Sequence, residues 1–156
     1  MKNKHYFPMF VDLSDKNVVV IGGGSVASRR IRTLLAFTRN ITVIAPQVAP
    51  EVQEMAKLGQ IELVQRPVKR SDFTMAYMVL AATNDHKLND DIYRVCKEEG
   101  IYVNVSSDRD KCDFYFPGVY MKENVVVGVT ASGTDHFLAR RVREEIQRGL
   151  DRALEY

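Results

Sequence analysis

The chain has 156 residues, a formal net charge of +2, 46% hydrophobic residues and two cysteines. That length and apolar content suit one compact domain with an ordinary core, and the small charge points to no nucleic acid partner. No apolar run approaches the roughly 20 residues that span a bilayer, and Met1-Lys2-Asn3-Lys4-His5-Tyr6 lacks the apolar centre of a signal peptide, so a cytoplasmic protein without membrane contact is expected.

Near the start, Tyr6, Phe7 and Phe10 read as core or edge packing for a first strand at Val18-Val19-Val20-Ile21. That strand runs straight into Gly22-Gly23-Gly24-Ser25-Val26-Ala27, a Gly-x-Gly-x-x-Ala turn of the dinucleotide-binding kind. Gly22 permits the tight turn, Gly24 lets the backbone approach a pyrophosphate, and Ala27 allows close packing of helix on strand. A helix with Ile31, Leu34 and Leu35 on one face follows, then a strand at Ile41-Thr42-Val43-Ile44-Ala45, which completes a βαβ unit. An NAD fingerprint usually ends this second strand with Asp or Glu for the ribose 2′-OH; this chain offers Ala45-Pro46-Gln47 instead. The ribose then falls to backbone groups or Gln47, and the lack of a local Arg argues against a 2′-phosphate.

The alternation continues with a helix from about Pro50 to Leu58 stopped by Gly59, a strand at Ile61-Glu62-Leu63-Val64, and a polar turn around Lys69-Arg70-Ser71-Asp72. Tyr77-Met78-Val79-Leu80-Ala81-Ala82 has the length of a buried strand, Thr83-Asn84-Asp85 caps a helix that Gly100 closes, and Ile101-Tyr102-Val103-Asn104-Val105 is the next strand. Repeated βα units imply right-handed crossovers and a Rossmann-like, doubly wound parallel sheet in an α/β fold. The pattern then changes to Phe114–Tyr120 and Asn124–Thr130 joined by Met121-Lys122-Glu123, a short β-extension, and a C-terminal helix striped with Leu138, Val142, Ile146, Leu150 and Leu154. That stripe packs on the chain's own sheet or on another subunit. The division expected is an NAD-binding Rossmann domain over residues 1–112 and a β-extension with C-terminal helix over 113–156.

In an open parallel sheet the ligand lies beyond the carboxyl ends of the strands. Those ends carry Gly22, Gly24, Ser25 and Val26; Pro46 and Gln47 beside the adenosine; Ala82, Thr83 and Asn84 toward the phosphate or nicotinamide; and Ser106-Ser107-Asp108, with Asp108 the nearest carboxylate to the reactive ring. Thr83 and Asn84 serve equally as a helix N-cap, and Asp108 reads more simply as a solvated loop acid. Cys96 and Cys112 form no CxxC, and His5, His86 and His136 have no ligand partner at close spacing, so reduced thiols and no metal centre are expected. Arg140, Arg141, Arg143, Arg148 and Arg152 give the last helix a basic face, which solvation alone also explains.

Taken in order, Phe7–Leu13, the glycine turn with Arg29-Arg30, Val43-Ile44-Ala45-Pro46, Ala81-Ala82-Thr83-Asn84-Asp85, Asn89, Val103-Asn104-Val105, Cys112-Asp113-Phe114-Tyr115-Phe116-Pro117 and Leu138-Ala139-Arg140 resemble the precorrin-2 dehydrogenase family over nearly the whole chain. The resemblance implies NAD-dependent oxidation of precorrin-2 to sirohydrochlorin in siroheme synthesis, with ferrous iron insertion, a lyase activity, as a second function of some members. It also implies a homodimer, cofactor contacts at Ser25-Val26 and Pro46-Gln47, and substrate contacts at Asn104, Ser132, Arg140 and Arg141, the arginines facing a tetrapyrrole rich in carboxylates. Three departures stand out. The family's Asp three residues after the Asn of the Asn-Val motif is Ser107 here, with Asp108 one position later as the substitute acid or base. The Ser/Thr-Gly-Gly-x-Ser-Pro stretch is Ala131-Ser132-Gly133-Thr134-Asp135-His136. Members of the family also continue into a helical domain, so this chain, ending at Tyr156, is expected to carry only part of the substrate cleft. A non-catalytic NAD- or tetrapyrrole-binding sensor or carrier is the alternative function.

Overall fold

The computed structural model describes residues 6–132 and 134–155, so the readings placed on His5 and Gly133 lie outside the described residues. Contacts divide the chain into two compact units. One comprises residues 11–114; the other joins the start of the chain, up to Phe10, to everything from Tyr115 onward.

The larger unit is a five-stranded sheet, β1 (Val18–Ile21), β2 (Ile41–Ile44), β3 (Glu62–Val64), β4 (Met78–Ala81) and β5 (Tyr102–Val105), in the spatial order β3-β2-β1-β4-β5 with every pair parallel. Its helices are α1 (Ser25–Leu34), α2 (Pro50–Lys57) and α3 (His86–Glu99). The chain steps outward from β1 to β3 in one direction and from β4 to β5 in the other. Right-handed crossovers therefore set α1 and α2 on one face and α3 on the opposite face, which is the doubly wound arrangement.

Alternation along the strands follows from that double cover. Val19, Ile21, Ile44, Val79, Ala81, Val103 and Val105 pack with Ile92 and Cys96 of α3 in one cluster. In-register Val20, Val43, Leu80 and Asn104 point the other way, toward α1. Both strand faces are buried, which is why β1 and β4 read as continuous apolar runs. The stop signals act as expected: Gly59 and Gly100 take φ of +67° and +69°, and Asp85 caps α3 by accepting from the Leu88 N–H at 3.0 Å. The polar turn at Lys69–Asp72 is a short 3-10 helix, Arg70–Phe73, held by the Asp72 carboxylate, which accepts from Arg66 at 2.7 and 2.9 Å and from the Lys69 N–H at 2.7 Å.

Along the outer side of β5 the chain returns at Cys112 and Asp113. Asn104 and Cys112 form an antiparallel bridge, the Asp113 N–H donates to the Val103 carbonyl at 2.8 Å, and the Val103 N–H donates to the Asp113 carboxylate at 3.0 Å.

The smaller unit consists of β6 (Gly118–Lys122), β7 (Val125–Val129) and α4 (His136–Ala153). The strands pair antiparallel from Gly118↔Val129 to Lys122↔Val125, leaving Glu123 and Asn124 as a two-residue loop. Glu123 sits at φ +53°, the left-handed region that tight hairpins demand. This corrects the expected boundaries: Phe114–Pro117 is not a strand, and Met121 and Lys122 belong to β6. Continuous apolar and aromatic character gave no register there. The stripe of α4 is only partly covered. Ile146, Leu150 and Leu154 are half-buried, whereas Leu138 and Val142 are exposed. Asp151 accepts from the Tyr120 hydroxyl and pairs with Lys122, which seats α4 on the β6–β7 hairpin. Phe7 and Phe10 overturn their expected burial, being 89% and 75% exposed, and among the described residues no strand begins before Val18 for them to pack on. Tyr6 packs edge-on against Tyr115 at 4.3 Å.

Candidate functional site

Three glycines at the end of β1 have three different jobs. Gly22 has φ +110°, and a Cβ there would stand 2.3 Å from the Ala82 carbonyl oxygen. A Cβ on Gly23 would stand 2.4 Å from Val48 Cγ1. These two let the first turn settle against the loops that follow β2 and β4, an arrangement fixed by the Gly22 N–H to Ile44 carbonyl, Ala82 N–H to Ile21 carbonyl and Ala49 N–H to Gly23 carbonyl bonds. Gly24 differs: nothing lies within 4 Å of where its Cβ would be. It is the N-cap of α1, no side chain caps the helix, and no acid occupies the first turn.

That combination fits a dinucleotide pyrophosphate. The first N–H groups of α1, those of Ser25 and Val26, have no intrahelical partner, and they start beside a residue with no side chain whose Cβ position is clear of other atoms. The crevice lies between β1 and β4, where the strand order reverses direction. Pro46 and Gln47 are exposed at the end of neighbouring β2. Neither residue carries a carboxylate.

On the other side of the crevice, Ala82, Thr83 and Asn84 follow β4, and Ser106, Ser107 and Asp108 follow β5. The two loops are tied by a side chain from α3. Asn89 is fully buried, and its Oδ1 accepts from the Thr83 hydroxyl at 2.7 Å and the Thr83 N–H at 3.3 Å. Its Nδ2 donates to the Thr83 carbonyl at 3.1 Å and to Ser107 Oγ at 3.2 Å. Thr83 thus serves the turn as well as the crevice, its hydroxyl also accepting from the Asp85 N–H. Asp108 caps the 3-10 turn Arg109–Lys111, accepting from the Asp110 N–H at 3.0 Å and pairing with Lys111 at 3.3 Å. Lys111 also holds Asp90 at 2.6 Å.

Asn104 is 3% exposed and lies on the α1 face of the sheet. Its Oδ1 accepts from Arg30 at 2.6 Å, and its Nδ2 donates to the Phe114 carbonyl at 2.7 Å. Burial lowers the pKa of the Arg30 guanidinium. Cys112, beside it, has a thiol raised by burial and donating to the Val105 and Asp108 carbonyls.

Ser132, Arg140 and Arg141 belong to the smaller unit. Ser132 has φ +53°, a glycine-like conformation at one of the two positions where the resembled family carries Gly-Gly. Asp135 caps α4 through the Leu138 N–H at 2.8 Å. Arg140 pairs with Glu144 at 2.8 Å, and both arginines line a hollow on α4 with Asp135, Phe137, Leu138 and Glu144.

Sequence reasoning singled out the glycine turn and the strand ends. It did not single out Gly23, whose packing on Val48 only the folded turn reveals, nor did it assign Asn89 a role. The signals available for it were its place in the resembled motif set and its position four residues after the helix cap.

A family model described as putative NAD(P)-binding matches residues 9–118. A probable multifunctional siroheme biosynthesis protein of Ruminiclostridium josui is 38% identical over 143 residues, covering 91% of this chain and 28% of that protein. A siroheme synthase of Actinobacillus succinogenes is 34% identical over 143 residues, covering 92% of this chain and 30% of its own length. The chain therefore spans about a third or less of these curated relatives. Among solved structures, SirC, a precorrin-2 dehydrogenase, superposes with a TM-score of 0.81 at 26% identity, over 92% of this chain and 70% of that one. The chain belongs to the putative NAD(P)-binding family whose model it matches.

Proposed function

We propose that this chain is an NAD-dependent dehydrogenase module that converts precorrin-2 to sirohydrochlorin. The observation that carries the reading is the open, uncapped start of α1 beside Gly24, set in a chain whose relatives are siroheme-synthesis proteins. When bound, NAD supplies the hydride acceptor. Ser25 and Val26 hold its pyrophosphate through their N–H groups, Pro46 and Gln47 flank its adenosine, and Ala82, Thr83 and Asn84 line the nicotinamide side. Ser107 presents a hydroxyl in the crevice, and Asp108, kept in place by the Asp110 N–H and Lys111, is the nearest carboxylate to take the ring proton lost in the oxidation. Arg140, Arg141 and Ser132 of the smaller unit suit the carboxylates of the tetrapyrrole, and Asn104, held by Arg30, is a substrate contact offered by the larger unit. The exposed Phe7, Phe10, Phe137 and Leu138 suit a homodimer, and the two free cysteines suit a reducing cytoplasm.

The test is anaerobic turnover of precorrin-2 generated in situ, with and without NAD, followed by the absorbance of sirohydrochlorin. Product that requires NAD and falls sharply in Asp108→Ala supports the reading. Binding of NAD or tetrapyrrole without product overturns it in favour of a sensor or carrier. The same assay run on sirohydrochlorin with ferrous iron tests the second activity that the resemblance implies.

A further inference from the structure

Asn89 is the most completely engaged buried polar side chain in the larger unit, and its partners settle its orientation. A backbone N–H can only donate and a backbone carbonyl can only accept. The Thr83 N–H therefore requires Oδ1 on its side of the amide, and the Thr83 carbonyl requires Nδ2 on the other. Reversing the amide would set donor against donor and acceptor against acceptor in a site with no water access. Nδ2 is thus the group that faces Ser107 Oγ at 3.2 Å, and it has no lone pair to offer.

A serine hydroxyl has one proton to donate. Because Ser107 accepts from Asn89, that proton is directed away from the amide, and Ser107 is exposed at the mouth of the crevice between the β4 and β5 loops. We propose that Asn89 is a positioning residue that makes Ser107 a hydrogen-bond donor toward an acceptor atom, a carboxylate or carbonyl oxygen, of the molecule bound in this crevice. The inference rests on the proposed site. It gives position 107 a role opposite to that of an ionised carboxylate, which only accepts. Accepting from an amide also polarises the hydroxyl and strengthens the bond it donates.

The amide also joins the loop after β4 to the loop after β5, since a single side chain holds Thr83 and Ser107 together. A ligand that orders one loop therefore meets the other already in place.

The test is Asn89→Asp, followed from pH 5 to 9. The ionised carboxylate still accepts from the Thr83 N–H and hydroxyl, but it draws the Ser107 proton inward; the protonated acid can donate to Ser107 as the amide does. Turnover of precorrin-2 is expected to fall about tenfold at the alkaline end, the loss of one hydrogen bond, and to recover toward acid pH, while the affinity for NAD changes by less than about threefold. In a Ser107→Ala background the added pH dependence should vanish, and Ser107→Thr, which keeps the hydroxyl, should recover most of what Ser107→Ala loses. Parallel pH profiles for Asn89→Asp and the unmodified protein, or Ser107→Ala turning over as fast as the unmodified protein, would overturn the proposal. Should Asn89→Asp fail to fold, the Ser107 pair decides alone. If the unmodified protein makes no product, the dehydrogenase reading fails separately, and titration of the same variants with sirohydrochlorin reads the donor directly as weaker binding in Ser107→Ala. A second readout needs no turnover: the Asn89 side-chain NH2 resonances should exchange slowly and shift in Ser107→Ala, and their insensitivity to that change would refute the contact.

Discussion

Two glycines two residues apart in one turn should respond to alanine in opposite ways. At Gly22 the new Cβ meets the Ala82 carbonyl oxygen at 2.3 Å and carbon at 2.7 Å, and φ is +110°. The contact is with backbone, which cannot swing aside, so the β4 loop must move. Strain at positive φ and overpacking each cost about 1–3 kcal/mol, so Gly22→Ala should lose about 2–6 kcal/mol of stability. For a chain of this size, at about 3 °C per kcal/mol, that lowers the melting temperature by about 6–18 °C. Gly24 has ordinary φ of −82° and no atom within 4 Å of its Cβ. Alanine there should cost no more than about 1 kcal/mol, the difference between glycine and alanine as an N-cap. Its methyl group nevertheless occupies the space beside the free N–H groups, and NAD affinity should fall at least about tenfold, or about 1.4 kcal/mol. Calorimetry supplies the melting temperatures and fluorescence titration with NADH the affinities. Gly22→Ala melting within a degree of the unmodified protein would refute the packing argument, and Gly24→Ala binding NADH normally would refute the placement of the pyrophosphate.

Burial pushes the Cys96 thiol up to about 12, from an ordinary 9.0. The unfolded chain then loses this proton first, so its contribution to stability is complete below pH 9 and drains away as the pH rises toward 12; urea titrations should show a shallower decline over that range for Cys96→Ala, and iodoacetamide should leave Cys96 unmodified at pH 8 until urea is added. The Asp72 carboxyl is lowered from 3.8, chiefly by its hydrogen bond from Arg66, so its contribution is present above pH 3.8 and lost as the pH falls below it. Asp72→Asn should cost about 1 kcal/mol at pH 7 by urea denaturation, a gap that closes in acid and would be absent if the paired contact were idle. Ser132→Gly should raise stability by about 0.5–1 kcal/mol by relieving its left-handed backbone; an unchanged or lower midpoint would show that the strain is not there.

Much of the larger unit was legible because its signals are local. Apolar runs, a Gly-rich turn and left-handed glycines at Gly59 and Gly100 each act within a few residues of sequence. The β6–β7 register was not legible, since Phe114–Tyr120 is apolar and aromatic throughout and contains no alternation to set a start. Glu123, not glycine, takes the left-handed corner. The Asn89 amide was legible only as a letter in a helix; its partners Thr83 and Ser107 come from loops that the sheet brings together. The exposed Phe7 and Phe10 were misread for a related reason, because hydrophobicity predicts burial without saying against what.

The return of the chain along β5 has a bearing on colloidal behaviour. An open parallel sheet ends in two rows of main-chain donors and acceptors that invite a strand from a neighbouring molecule, the seed of fibrous aggregation. On the β5 side both main-chain groups of Val103 are taken by Asp113, whose carboxylate stands in for a carbonyl and brings a charge that a foreign strand would have to displace. On the β3 side the strand is only three residues long and opens with exposed Glu62. Asp113→Ala should accordingly leave a tacky margin on an otherwise well-behaved protein, with polymerisation during expression as its first symptom.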